Sequence, residues 1–131
     1  MDRRLFCMTA LTLLAAVPGH ALAQATPVDW KRTPIRLMMG ERAGCIYCAD
    51  WNTKVGPGYA NSPAGRIAPL LRVDLDGPYP DGLALARRPF ATPTFILLRD
   101  RFELSRMEGY VPAQDFYPRL TQMMEAAGIR L

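Results

Sequence analysis

The sequence predicts an α/β domain: a mixed four-stranded sheet with helices packed on it. Three observations lead there. Apolar or alternating runs at 35–39 (IRLMM), 70–76 (LLRVDLD) and 94–98 (TFILL) have the length and pattern of strands. The chain between the first two suits helices, so those two strands should run parallel. After the third run, Asp100-Arg101 offers a tight turn into a returning strand, and Phe116, Leu120, Met123, Met124 and Ala127 mark one face of a terminal helix.

Residues 1–23 stand apart from this domain. Asp2, Arg3 and Arg4 are followed by a 13-residue apolar run from Leu5 to Val17, then by Pro18, Gly19 and the small-residue pattern Ala21-Leu22-Ala23. A bilayer span needs about 20 residues. The pattern reads instead as a secretory signal peptide cut after Ala23, with a second site before Thr26. Arg3-Arg4 is a weak hint of twin-arginine export. Cleavage removes Cys7 and His20, the only histidine, and leaves 108 residues at 24–131. Without Asp2, Arg3 and Arg4, the 16 basic and 12 acidic residues become 14 and 11, a net charge of +3. These charges are interspersed, which argues against nucleic-acid or lipid binding. The length suits one domain with a core of its own. The expected location is a bacterial periplasm, with no stable membrane insertion after processing.

Within that domain, 24–33 is expected to be an extended lead-in. The strand at 35–39 should end at the break 40–44. A helix should follow from Cys45 to about Val55, stopped by Gly56-Pro57-Gly58. A short helix is expected at 62–70 and a strand at 70–76. A loop should occupy 77–89, with a helical turn at 83–87. The hairpin pairs 94–98 with 102–107, and Gly109 ends it. Pro118 is acceptable only in a first turn, which sets the terminal helix to start near Asp115.

The chemistry lies in Cys45 and Cys48. A disulfide between them closes too small a loop to add much stability. Haem attachment needs histidine after the second cysteine, where Ala49 stands. A structural zinc site needs four ligands, more than two cysteines and no histidine supply. Cysteine–histidine catalysis lacks its base. A copper(I) module using both thiolates with Met38 or Met39 remains as an alternative, although those methionines suit the core of the first strand. In the redox reading, Cys45 opens a helix, where unpaired N–H groups favour a thiolate, and is the nucleophile. Cys48, one turn on and more buried, is the resolving thiol. Arg42 reads as a solvated loop charge.

Thr92-Pro93 opens the third strand. Proline at a strand start is restricted to special places: it reads either as a cis bond in a turn facing the cysteines or as a trans proline that ends the preceding loop. Arg87-Arg88 before it reads equally as a recruiting patch for an acidic partner or as a solvated pair.

Taken together, the stretches "GCIYCADW", "GPGYANSPAGRIAPLLRVDL", "TPTFILL" and "EGY" resemble thioredoxin-like proteins over residues 33–127. They are similar in particular to the SoxS-type periplasmic thioredoxins that accompany bacterial sulfur-oxidation (Sox) systems. The resemblance implies a thioredoxin-like fold and a thiol–disulfide oxidoreductase with Cys45 and Cys48 redox-active. It implies a cis Pro93, pairing of Thr92 with a bound partner's chain, and no cofactor. It further implies protein disulfide substrates, among them the sulfur-carrier protein of the Sox system. A reductase in an oxidising compartment also needs an electron donor, here assigned to a membrane thiol transporter. An oxidant or isomerase of the same fold is the rival reading.

The chain departs from the thioredoxin pattern in three places. Leu37-Met38-Met39 stands where a buried aspartate is usual. Gly44 replaces the tryptophan before the first cysteine, with Trp51 expected in the core. Ile46-Tyr47 replaces Gly-Pro between the cysteines and should present an apolar rim that suits a protein partner.

Overall fold

The computed structural model describes residues 27–131. The expected signal peptide at 1–23 therefore lies outside the described residues, as does the start of the lead-in.

Strand β1 (Ile35–Glu41) lies inside a four-stranded sheet of order β2-β1-β3-β4. It pairs in parallel with β2 (Leu70–Asp74), Gly40 facing Val73, and antiparallel with β3 (Thr94–Arg99), Gly40 facing Thr94. Strand β4 (Phe102–Glu108) returns antiparallel to β3, with an irregularity between Leu97 and Leu98. Asp100 and Arg101 form the turn, both at positive φ.

Strand β1 runs past the expected break. Gly40 stays in the strand because it is paired on both sides, with Val73 and Thr94, and glycine suits the position because a Cβ would lie 2.8 Å from Leu75 Cδ2. Gly56-Pro57-Gly58 ends α1 (Ile46–Lys54) but does not stop helical winding: a one-turn helix, α2 (Gly56–Tyr59), follows at once. Ser62 then caps α3 (Pro63–Ile67), its Oγ accepting from the Gly65 N–H at 3.0 Å.

Two further expectations are corrected. Residues 83–87 form no helical turn; Ala84 makes a parallel bridge to Phe102 at the sheet edge. Its N–H donates to the Arg101 carbonyl at 2.9 Å, and its carbonyl accepts from the Glu103 N–H at 3.0 Å. The open edge of β4 outcompetes a local turn. Helix α4 (Ala113–Ala126) starts two residues earlier than expected, with Pro112 at the N-cap position and no side-chain capping bond, and keeps Pro118 inside it. That proline is exposed and early in the helix, where the lost N–H bond leaves no buried carbonyl orphaned.

The four helices of the described residues bury their apolar sides against one face of the sheet. Leu37, Met39, Phe95, Leu97 and Met107 form a core there with Cys48, Trp51, Tyr59, Phe116 and Leu120. The opposite face carries Met38, Val73, Leu75, Ile96 and Leu98. No helix among the described residues covers it. Trp30 of the lead-in closes it instead, with Tyr79, Leu83 and Leu85 of the 77–89 loop.

Candidate active site

Gly44, at φ +79°, turns the chain out of β1 so that Cys45 becomes the N-cap of α1. The Cys45 Sγ accepts a hydrogen bond from the Cys48 N–H at 3.1 Å. No acidic side chain occupies the first turn, so the positive end of the helix acts on this sulfur uncompensated. Cys45 and Cys48 are joined as a disulfide, with Cα atoms 5.3 Å apart. Their environments differ: Cys45 is half-exposed, whereas Cys48 is buried in the helical-face core. Of the two sulfurs, that of Cys45 is the nearer to solvent.

The register of β1 and β3 brings the second element to the same end of the sheet. Gly40 faces Thr94, so Pro93 leads into β3 beside the place where β1 leaves for Cys45. The Thr92–Pro93 bond is cis. The Pro93 carbonyl accepts from the Gly109 N–H at 2.9 Å, and Thr94 Oγ1 donates to the Ala91 carbonyl at 2.6 Å. Pro93 is buried and Thr92 half-buried. Neither backbone group of Thr92 makes a backbone hydrogen bond among the described residues.

Apolar side chains project around this end. Ile46 is 72% exposed and Tyr47 46%. Sequence reasoning did not single out two others, Phe90 at 78% and Tyr110 at 46%. The Tyr47 and Tyr110 rings pack with centroids 4.7 Å apart. Nothing local marks Phe90, and the stretch "EGY" that contains Tyr110 gives no sign of its place beside Tyr47; that is set by long-range folding.

Arg42 departs from the expected solvated charge. Its Nε pairs with Asp76 Oδ1 at 3.0 Å, and its Nη1 donates to the Phe90 carbonyl. Arg87 and Arg88 are likewise engaged and form no open basic patch. Arg87 pairs with Glu108 at 2.7 Å. Arg88 lies over the Tyr79 ring at 4.4 Å and donates to the Leu75 carbonyl at 3.3 Å.

Where a buried aspartate is usual, the strand before the motif offers no proton carrier: Leu37, Met38 and Met39 are all buried, and Glu41 at its end is paired with Arg72. Tyr59 is a poor substitute. Burial pushes its phenol well above the usual tyrosine range, and its hydroxyl is committed to the Ala68 carbonyl at 2.7 Å. Met39 shares the core of Cys48, whereas Met38 points into the other. Among the described residues, no group of three or more His, Cys, Asp or Glu side chains is placed to hold a metal ion. Nor is any helix there long and apolar enough to cross a membrane.

A vicinal dithiol at a helix N-terminus, on a mixed sheet and beside a proline-led strand, defines a thiol–disulfide oxidoreductase of thioredoxin fold. Comparison with solved structures agrees. The chain is 41% identical to the periplasmic thioredoxin SoxS from Paracoccus pantotrophus, solved in its reduced form, over 71% of this chain and 98% of that one, with a TM-score of 0.68. A thioredoxin from Thermus thermophilus matches at 24% identity over 75% and 79% of the two chains, with a TM-score of 0.54, a likeness of fold. Searches of protein-family models and of curated proteins find no match. The chain belongs to the SoxS-type periplasmic thioredoxins.

Proposed function

We propose that this protein is an exported reductase that keeps protein thiols reduced in the periplasm, and that its partner is the sulfur-carrier protein of a Sox system. The observation that carries the thiol–disulfide exchange reading is the unequal exposure of the two sulfurs, with Cys45 open at an apolar rim and Cys48 buried behind it. The reducing direction draws support from Ile46-Tyr47, which places no histidine or lysine between the cysteines to favour the reduced thiolate strongly.

The Cys45 thiolate attacks a partner disulfide. One partner sulfur leaves as a thiolate, and the other stays bonded to Cys45. Cys48, deprotonated, attacks Cys45 Sγ, forms the intramolecular disulfide and releases the second partner thiolate. The partner gains two electrons, and the Cys45–Cys48 pair loses them. With a persulfide, Cys45 takes the outer sulfur and Cys48 then expels it as hydrosulfide. During the mixed disulfide, Thr92 pairs with the partner backbone, while Ile46 and Tyr47 take its apolar side chains. A membrane thiol transporter restores the dithiol.

The Sox assignment draws support from the likeness to the periplasmic thioredoxin SoxS. Export draws support from the amino-terminal pattern, and mass spectrometry of exported protein should find Gln24 as its first residue. The partner is tested by trapping. In a Cys48→Ser variant the mixed disulfide has no resolving thiol, so the sulfur-carrier protein should be retained through its own cysteine. The rival reading is a periplasmic oxidant or isomerase of the same fold, which differs in redox poise. The oxidant requires a potential near −120 mV, whereas a reductase should lie on the order of −200 mV or lower. Trapping mainly secreted proteins undergoing oxidation, together with the higher potential, would establish the oxidant.

A further inference from the structure

The segment at 77–93 contains no helix and no strand beyond the Ala84 bridge, yet it ends in the Thr92-Pro93 pair. Most of its ties run to β4 and to the end of β2. The Ala86 N–H donates to Glu103 Oε2 at 2.8 Å, Arg106 Nη2 donates to the Arg87 carbonyl at 2.8 Å, and Arg88 reaches the Leu75 carbonyl. None of these sets the distance between Thr92 and Cys45. The side chain of Phe90 does not set it either, because it stands in solvent.

Arg42 does join the two sides. Its guanidinium donates to the Phe90 carbonyl, two residues before Thr92, while Asp76 holds it from the end of β2. Its own carbonyl accepts from the Cys45 N–H at 3.3 Å. Among the described residues, this is the hydrogen-bonded link between the 77–93 segment and the connection that carries Cys45. Its positive charge is already matched by Asp76, so its effect is directional more than electrostatic.

We infer that Arg42 is a positioning residue that fixes the cleft between Cys45 and Thr92 at the width of one extended polypeptide, and thereby selects protein disulfides over small ones. The inference rests on the reductase reading and deepens it. A protein substrate must pair with Thr92 and present its sulfur to Cys45 at once, so it senses the width of the cleft. A small disulfide needs Cys45 alone. Lysine cannot replace arginine here, because one ammonium on a flexible stem does not reproduce the planar fork that spans Asp76 and Phe90.

The test compares wild type, Arg42→Ala and Arg42→Lys on two substrates. Insulin is the protein disulfide, and bis(2-hydroxyethyl) disulfide is the small neutral one. The expected result is a KM for insulin raised roughly 10- to 150-fold in both variants, the scale of one charge-assisted hydrogen bond. Their kcat should hold, and so should the rate on the small disulfide. That unchanged rate also certifies that both variants are folded with an intact Cys45. Unchanged insulin kinetics would overturn the inference. A parallel loss on both substrates would do so too, placing Arg42's effect on the thiol or the fold. Full rescue by lysine would reduce it to a charge. Failure of the wild type to reduce insulin would instead defeat the reductase reading, and the inference with it.

Discussion

The ring of Tyr47 packs on that of Tyr110 at 4.7 Å, joining the first turn of α1 to the connection between β4 and α4. Gly109, the neighbour of Tyr110, donates its N–H to the Pro93 carbonyl. The aromatic pair and the proline-led strand are thus fastened to each other, and a partner that reaches Cys45 meets them as one surface. An aromatic pair of this kind is worth about 0.5–1.5 kcal/mol beyond its buried area. Tyr110→Ala should raise the KM for a protein disulfide up to about tenfold, the upper end of that range, with little change in kcat. Steady-state insulin reduction checks it, and a lowered kcat with unchanged KM would count against a docking role.

Cys45 Sγ accepts a backbone N–H at the uncompensated end of α1. Both effects stabilise the thiolate. In a Cys48→Ser variant the Cys45 pKa should lie below the free value of about 8.5, in the range of roughly 5 to 7.5. Thiolate absorbance followed against pH gives the midpoint directly.

Glu103 and Arg106 form a nearly buried pair, each side chain 8% exposed, at 2.6 Å. The Arg106 guanidinium holds the Glu103 carboxyl below its ordinary value of 4.5. A carboxylate depressed in the folded state adds stability that is complete above that ordinary value. The contribution disappears as pH falls through the folded one. Unfolding midpoints should therefore drop on acidification below about pH 4.5, and Glu103→Gln should flatten that limb. Arg106→Leu leaves the carboxylate buried without its partner and should cost about 3 kcal/mol at neutral pH. Denaturant titrations at several pH values separate the two effects.

Trp30 closes the sheet face that no described helix covers, packed with Met38, Leu75, Ile96 and Leu98. Trp30→Ala should destabilise the domain by about 3–5 kcal/mol, the usual cost of deleting a buried aromatic. Thermal or denaturant unfolding measures this. The rate on a small disulfide should be unchanged below the transition, since the cysteines lie in the other core.

The strands and the reactive helix were legible because they obey local rules. The run at 35–39 is apolar except for Arg36 and the run at 94–98 except for Thr94, and both lie inside the sheet. Cys45 follows a glycine that can turn at positive φ, and it caps the helix behind it. The misreadings share a different cause. Gly40 looks like a break until Val73 and Thr94, far along the chain, are seen paired with it on either side. Arg42 looks solvated until folding brings Asp76 and Phe90 to it, 34 and 48 residues away. The 77–93 segment has no hydrophobic period because it is held by ion pairs, a bridge and carbonyl contacts made elsewhere in the chain. Those partners have no signature in the local sequence, so neither the shape of that segment nor the place of Phe90 and Tyr110 on the rim was readable.

The unequal burial of the two sulfurs also decides how the protein meets peroxide. The half-exposed Cys45 is the sulfur an oxidant reaches, and the first product is a sulfenic acid. Cys48 lies one helical turn away, in a core closed to bulk solvent, with the two Cα atoms already at bridging distance. It can displace the hydroxyl as water and close the disulfide before a second oxidant arrives. The irreversible sulfinic and sulfonic forms are then bypassed, and the product is the same Cys45–Cys48 disulfide that the proposed reductase cycle forms. Oxidative damage at this site becomes one more entry into the working cycle.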